Sequence, residues 1–327
     1  MQQVGVVAIG RNEGQRLRQC LESVVGKVAR VVYVDSGSTD GSVALAHSLG
    51  VDVVELDFST PFTAARARNA GWRRLLQLNP HVQYIQFVDG DCELLAGWFE
   101  QAVAAMEANQ KVAIVYGRRQ ERYGDRSPYN RLCDIEWHIL LNHSGVCGGD
   151  ALMRVEALRQ ANGFNPVLIA GEEPDLCIRV QQLGWQLLPI QAPMTLHDAQ
   201  MMHFHQWWRR MVRAGHAYAE GAWMHGQEPE HYWLKETLSI WFWALGLPLI
   251  ALFLVPFTHS LSLLLLLAYL LLSLRISHWI ARQGFSWSEA ILYGTTCVLG
   301  KFPNFMGQIQ FYWHNLLGKP SKLIEYK

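Results

Sequence analysis

Residues Tyr84–Leu94 read YIQFVDGDCEL, and this stretch decides the fold class. A mostly apolar run leads straight into Asp89-Gly90-Asp91, which is typical of a buried strand in a parallel sheet. Ligands of such sheets bind beyond the carboxyl ends of the strands. Two carboxylates around a glycine suit a hard divalent cation, Mg²⁺ or Mn²⁺. A solvent-exposed acidic turn could have the same sequence, so the interpretation as a metal site depends on the rest of the chain.

Short runs rich in valine and isoleucine alternate with helix-like stretches in the first part of the chain. The strand candidates are Val4–Ile9, Val31–Val34, Val51–Leu56 and Tyr84–Val88. Helical periodicity occurs in Glu13–Val25, Thr39–Leu49 and Thr63–Leu78. This alternation predicts an α/β domain whose mostly parallel sheet carries helices on both faces.

Two further polar segments follow the same pattern. In VVYVDSGSTDGS (Val31–Ser42), Asp35 stands at a strand end, where it can accept hydrogen bonds from a base or ribose. A helix-capping turn without a ligand is the alternative. In AGEEPDLCIRVQQLGW (Ala170–Trp185), Glu172 and Glu173 stand at a helix start, where the helix dipole stabilises carboxylates. A general base placed there could take a proton from an acceptor hydroxyl.

The last third of the chain is strongly apolar. Leu238–Phe257 is an uncharged run of about 20 residues, the length that a bilayer core requires, and Leu261–Ile280 is a second candidate span. The aromatic and basic stretch His203–His225 predicts an interfacial helix, and Phe285–Leu317 an amphipathic one. A buried helical hairpin in a soluble core is the alternative, but a chain of this length has little core to hide it.

Charges around the two candidate spans predict their orientation. No lysine or arginine lies in the connector between the spans. The basic residues nearest the spans are Arg209, Arg210, Arg213 and Lys235 before them, and Arg282, Lys301, Lys319 and Lys322 after them. By the positive-inside rule both flanks are cytosolic. We therefore expect a multi-pass protein of the inner (plasma) membrane, with the α/β domain and both termini in the cytoplasm.

Composition excludes some classes of protein. Lys+Arg and Asp+Glu both number 28, so no clustered basic surface is expected and nucleic acid is not a predicted partner. The six cysteines show no CxxC spacing, which indicates reduced thiols rather than a zinc ribbon or a disulfide framework.

Six segments, in order and spacing, resemble glycosyltransferase family two over roughly residues 4–200. They are VVAIGRNEGQRLRQCLESV, VVYVDSGSTDGS, TAARARNAG, VDGDCEL, CGGDALMRVEAL with NGF, and GEEPDLCIR. The resemblance implies a GT-A fold and an inverting sugar transfer from a nucleotide-diphosphate sugar. It also implies donor contacts from four residues, namely Asp35, Arg68, Asp89 and Gly148.

The resemblance also implies the metal ligands and the base. Asp91 matches the metal-coordinating acid, and His197 falls where some relatives have a further metal ligand. Glu173 matches the catalytic base; the family more often has aspartate there, so Glu172 stays an alternative.

QWWRR (Gln206–Arg210) resembles the QxxRW element of membrane-bound polysaccharide synthases. The likeness implies that Gln206 and Arg209 help to close over the donor diphosphate or the acceptor. Arg210 stands where that element has tryptophan, so the match is partial. A basic helix facing lipid headgroups is the alternative.

These observations predict four regions: a GT-A catalytic domain (1–200), an interfacial region (201–236), a transmembrane hairpin (237–282) and C-terminal interfacial helices (283–327). The expected function is metal-assisted sugar transfer to a lipid-linked or cell-envelope glycan, in contact with membrane lipid. One alternative is a membrane-tethered nucleotidyltransferase. Such enzymes typically carry a glycine-rich, basic phosphate loop near the N-terminus, and the AIGRNEGQ found there in this chain matches that loop poorly. Another is a non-catalytic scaffold that binds sugar nucleotides; the presence of both acidic motifs argues against it.

Overall fold

A computed structural model describes residues 1–57, 59–143, 145–227, 231–319 and 324. The chain divides into two compact units. The first comprises Met1–Gly124 and Cys133–Gln200, and the second comprises Asp125–Leu132 and Met201–Lys327.

Within the described part of the first unit, eight strands form one sheet. They are β1 (Val4–Gly10), β2 (Arg30–Asp35), β3 (Asp52–Glu55), β4 (Tyr84–Asp89), β5 (Cys92–Leu94), β6 (Val112–Glu121), β7 (Ala151–Arg154) and β8 (Gln186–His197). Their order is β3-β2-β1-β4-β7-β6-β8-β5. The predicted α/β class is confirmed, but the sheet is mixed, because β7 runs antiparallel to both of its neighbours and β5 antiparallel to β8. A four-residue strand such as β7 is too short for periodicity to reveal.

Helices cover both faces of this sheet. They are α1 (Gln15–Glu22), α2 (Ser42–Ser48), α3 (Ala64–Leu78), α4 (Trp98–Ala108), α5 (Pro128–His143), α6 (Val155–Gln160) and α7 (Glu172–Gln182). Successive residues of β1 point into two separate hydrophobic clusters: Val7 lies with Leu75 of α3, and Val6 with Leu17 of α1. Gly71 lets α3 approach the sheet, because a Cβ there would lie 2.3 Å from a methyl of Val7.

The first three long strands end at the same edge of the sheet. In the parallel register Gly10 of β1 is opposite Asp35 of β2, and Ile9 is opposite Asp89 of β4. The carboxylates that the motifs singled out therefore share the carboxyl edge, where parallel sheets bind ligands.

The second unit is helical throughout its described elements. These are α8 (Phe204–His225), α9 (Leu234–Trp241), α10 (Leu247–Phe253), α11 (Val255–Thr258), α12 (Leu267–Ala281), α13 (Trp287–Leu299) and α14 (Lys301–Leu316). A π-helical turn, Phe242–Gly246, joins α9 to α10, and a 3-10 segment, Leu261–Leu266, precedes α12.

Two helical segments of this unit are long and apolar enough to cross a membrane: Leu234–Phe253 and Leu261–Ala281. The first begins and ends four residues before the predicted span Leu238–Phe257, and the second adds one residue to Leu261–Ile280. Only 22% and 11% of their apolar windows are buried, so most of their side chains face outward. The predicted helical stretch Phe285–Leu317 forms two helices, α13 and α14, that meet at Gly300.

Candidate active site

Asp35 organises the turn that follows β2. Its Oδ1 accepts a hydrogen bond from the Tyr33 hydroxyl at 2.9 Å, and its Oδ2 accepts from the backbone N–H groups of Gly37 and Ser38 at 2.9 and 2.7 Å. Asn12, after β1, braces the same turn, since its Oδ1 accepts from the backbone N–H of Thr39 at 2.7 Å. The sequence did not single out Asn12. Asp35 therefore holds the turn after β2 in place, and the donor contact predicted for it stays a prediction.

A buried arginine joins the two acidic motifs. Arg68 of α3 is 2% exposed, and its Nη2 lies 2.9 Å from Oδ1 of Asp89. Its Nη1 lies 2.8 Å from Oε1 of Glu172 and 2.9 Å from Oε1 of Glu173. The end of β4 and the start of α7 thus meet at one guanidinium, although they are far apart in the chain. We call Arg68, Asp89, Glu172 and Glu173 the arginine cluster.

Burial and charge set the protonation of the arginine cluster. Burial alone disfavours the Arg68 cation, but the surrounding carboxylates outweigh it and raise its pKa. Burial likewise opposes ionisation of Asp89, but the cations of Arg68 and Arg119 hold its pKa below the usual value. Glu173 behaves differently, because burial and the neighbouring Glu172 raise its pKa to about 7. A carboxylate that titrates near neutral pH is suited to proton transfer.

Asp91 and His197 meet where β5 pairs with the end of β8. Nε2 of His197 lies 3.6 Å from Oδ2 of Asp91. Cys92 is close by, and one ligand atom from each of the three residues lies within 4.8 Å of the others. Burial raises the pKa of the Cys92 thiol well above its usual range, and its sulfur accepts a hydrogen bond from Nη2 of Arg119 at 2.8 Å. A carboxylate oxygen and an imidazole nitrogen then form a donor set that fits a divalent ion such as Mn²⁺.

Comparison with known proteins decides the family. Residues 6–160 match the family model described as Glycosyl transferase family 2. The first unit is a family 2 glycosyltransferase domain. The family expected from the motifs is therefore confirmed.

Curated relatives of this glycosyltransferase domain are distant and longer. A pre-mycofactocin glycosyltransferase of Mycobacterium tuberculosis is 27% identical over 211 residues, which cover 60% of this chain and 42% of that protein. A TPR repeat-containing protein of Synechococcus elongatus is 28% identical over 137 residues, covering 40% of this chain and 31% of that protein. The chain thus spans less than half the length of either.

A solved structure shares the fold. The mannosyltransferase PcManGT from Pyrobaculum calidifontis, in complex with GDP-Man and Mn²⁺, matches with a TM-score of 0.61 at 15% identity. The match covers 95% of this chain and 87% of that chain. The GT-A fold expected for the glycosyltransferase domain is confirmed.

Strand β6 adds charged residues to the glycosyltransferase site that the sequence interpretation missed. Nη2 of Arg119 lies 3.1 Å from Oδ2 of Asp89, its Nε lies 3.3 Å from Oδ2 of Asp150, and its guanidinium lies 4.4 Å from the ring centroid of Trp137. Asp150 in turn accepts a hydrogen bond from the backbone N–H of Asp89 at 3.0 Å. Glu121, two residues after Arg119, contacts His197. The signal available in the sequence was the charged end of β6, where Arg119 and Glu121 alternate after the apolar run Val112–Tyr116.

The two glycines before Asp150 differ in their surroundings. A Cβ on Gly149 would lie 2.6 Å from Nη2 of Arg68 and 2.7 Å from Oδ2 of Asp89, so the backbone touches the arginine cluster there. A Cβ on Gly148 would make ordinary contacts at 3.6 Å or more, with Leu140 and Trp137. The donor contact predicted for Gly148 stays a prediction.

Gln206 and Arg209 belong to the second unit, on α8. The Gln206 side chain caps that helix, because its Oε1 accepts from the backbone N–H groups of Met202 and His203 at 2.8 and 2.9 Å. Arg209 is exposed. Their predicted contact with the donor or acceptor stays a prediction.

Proposed function

We propose that the protein transfers a sugar from a nucleotide-diphosphate sugar to an acceptor hydroxyl with inversion of configuration. The arginine cluster carries this proposal. Arg68 forms ion pairs with Asp89, the first acid of the DGD motif, and with both candidate bases, Glu172 and Glu173. A donor contact and a proton acceptor held this close are what a direct displacement requires. The GDP-Man complex of the mannosyltransferase with the same fold supports a nucleotide-sugar donor.

Glu173 is our choice of base over Glu172. The Glu173 side chain is 16% exposed and the Glu172 side chain only 4%, so Glu173 is the more accessible to an acceptor. Glu172 also accepts a hydrogen bond from Arg68 at 2.8 Å, which suits an anchor for the guanidinium. The raised pKa of Glu173, about 7, keeps it basic enough to accept a proton at neutral pH.

Asp91 and His197 would hold the divalent ion, Mg²⁺ or Mn²⁺. Bound there, the ion would offset the negative charge that develops on the leaving nucleotide diphosphate. An imidazole ligand favours Mn²⁺, since Mg²⁺ prefers oxygen ligands and strict octahedral geometry. Asp35 and Asp89 would orient the base and ribose of the donor.

Two apolar surfaces of the second unit support membrane contact. Helix α14 buries Gly307, Gln308 and Phe311 and exposes a stripe of large apolar side chains. The stripe consists of Phe302, Met306, Ile309, Trp313 and Leu316. Large exposed apolar surfaces mark membrane or protein contacts, and the two outward-facing apolar helices favour lipid. We propose an inner-membrane protein with a cytoplasmic catalytic domain, acting on a lipid-linked or cell-envelope glycan.

The test is nucleotide-diphosphate release by the purified full chain in lipid nanodiscs. A panel of UDP- and GDP-sugars is supplied with Mn²⁺ or with EDTA, with and without extracts of lipid-linked glycans. We expect one donor to give metal-dependent release that lipid-linked acceptor increases, and Glu173→Gln to lower this release by about 10²–10⁴-fold. Glu156→Gln removes an exposed carboxylate of α6 and serves as the matched control. No release from any sugar by a folded protein would refute the proposal and favour the non-catalytic scaffold.

A further inference from the structure

We propose that Glu121 is the positioning residue of the metal site, because it sets the tautomer and the orientation of His197. The inference rests on the proposed function, since it concerns the ion that Asp91 and His197 would share. Glu121 itself lies behind the imidazole and is not a ligand.

Geometry ties the two side chains together. Glu121 ends β6 and His197 ends β8, and the two residues are directly opposite in the parallel register. Oε2 of Glu121 lies 2.7 Å from Nδ1 of His197. The same carboxylate accepts from the backbone N–H of Ala199 at 3.2 and 3.3 Å, which holds it in place. The Glu121 side chain is fully buried.

A buried carboxylate facing an imidazole nitrogen requires a proton on that nitrogen. The proton of a neutral His197 is then on Nδ1, and the lone pair is on Nε2, which faces Oδ2 of Asp91 at 3.6 Å. Two hydrogen-bond acceptors 3.6 Å apart do not stabilise each other. Two ligand atoms that each lie about 2.0–2.2 Å from one ion are separated by a similar distance, so the spacing of Nε2 and Oδ2 suits a shared ion. Without Glu121, the proton could move to Nε2 and bond to Asp91, and the ligand atom would be lost.

A second side chain, Trp137, also restricts the imidazole ring of His197. Trp137 of α5 packs edge-on against His197, with centroids 6.0 Å apart and planes at 81°. Glu121 and Trp137 together restrict rotation of the imidazole, so Nε2 keeps its direction. The competing arrangement is an imidazolium held between Glu121 and Asp91 as a structural ion pair without a metal.

The experiment measures Mn²⁺ binding to the full chain in nanodiscs by the electron paramagnetic resonance signal of free Mn²⁺. Glu121→Gln is compared with wild type and with Glu93→Gln. Glu93 lies on β5, two residues from Asp91, and pairs with Arg122, so its loss removes the same charge without touching His197. We expect Glu121→Gln to weaken Mn²⁺ binding by about 10–100-fold, the usual effect of removing such a partner, and Glu93→Gln to leave it within about twofold.

Catalysis provides a second readout. A weakened metal site is filled at higher Mn²⁺ concentration, so excess Mn²⁺ restores kcat in Glu121→Gln; a general structural defect would not respond. A folded Glu121→Gln with the Mn²⁺ affinity of the Glu93→Gln control overturns the inference. Tight Mn²⁺ binding by wild type without sugar transfer refutes the proposed function. The role of Glu121 is then decided by the Mn²⁺ affinities of Glu121→Gln and Glu93→Gln alone. Absence of Mn²⁺ binding in wild type overturns both.

A measurement on wild type covers the case in which Glu121→Gln does not fold. Long-range ¹H–¹⁵N spectra of histidine-labelled protein, assigned by the signal missing in His197→Ala, report the tautomer in the absence of metal. We expect a proton on Nδ1, facing Glu121. A ring whose single proton is on Nε2 overturns the inference.

Discussion

Replacing Arg68 with methionine removes the cation that three carboxylates share. Asp89 retains Arg119 at 3.1 Å, so the uncompensated charge falls mainly on Glu172 and Glu173. Removing one partner of a buried ion pair costs about 3–5 kcal/mol. At about 2–4 °C per kcal/mol for a domain of this size, the melting temperature of the full chain should fall by about 6–20 °C.

The same substitution at Arg74 is the matched control. Arg74 also lies on α3 and pairs with Asp52 at 2.8 and 3.1 Å, but its side chain is 41% exposed. Solvent and salt screen an exposed pair, so Arg74→Met should lower the melting temperature far less than Arg68→Met. Thermal unfolding in detergent, followed by tryptophan fluorescence, measures both variants.

The pH dependence separates charge from packing. In wild type, the lowered pKa of Asp89 contributes stability above its unfolded pKa, and this contribution is lost as the pH falls through the native pKa. In Arg68→Met the buried carboxylates are destabilising only while ionised, so protonation relieves the defect. The gap in melting temperature between wild type and variant should therefore shrink from about pH 8 to about pH 5. A gap equal to that of Arg74→Met, or one unchanged across this range, would refute the reasoning.

Three other predictions concern the chemistry and the loop beside it. Because the base must be ionised and the pKa of Glu173 is about 7, kcat/KM should rise with pH through about 7. Glu173→Gln should lower kcat by about 10²–10⁴-fold. Near-wild-type turnover in this variant would show that another residue is the base. Asp91→Asn should abolish Mn²⁺ binding in a titration, with EDTA removing wild-type activity; retained Mn²⁺ affinity would contradict the ligand assignment. Gly149→Ala should destabilise the protein by about 1–3 kcal/mol, because its Cβ would lie 2.6 Å from Arg68. Gly148→Ala should have the melting temperature of wild type. Equal melting temperatures of the two variants would contradict the close approach of the Gly149 backbone to Arg68.

Much of the fold was predictable because its signals are local. Strands β1, β2 and β4 are apolar runs buried on both faces, and helix α3 begins at a threonine whose side chain accepts a hydrogen bond from the Arg66 backbone N–H. The antiparallel strand β7 was not predictable, because Ala151–Arg154 becomes a strand only by pairing between β4 and β6. A helix beginning at Glu172 and Glu173 was expected, but not the ion pairs at its start.

The sequence by itself determined the α/β class, the family and the acidic residues at strand and helix ends, since each depends on neighbours a few positions apart. Only the tertiary structure decided that Arg68 holds Asp89 together with Glu172 and Glu173, and that Arg119 lies behind the same aspartate. These contacts join separate elements of the chain across the carboxyl edge of the sheet. Strand order and burial determine which residues form these ion pairs, because a buried charge requires a counter-charge. A local sequence pattern contains neither the strand order nor the burial.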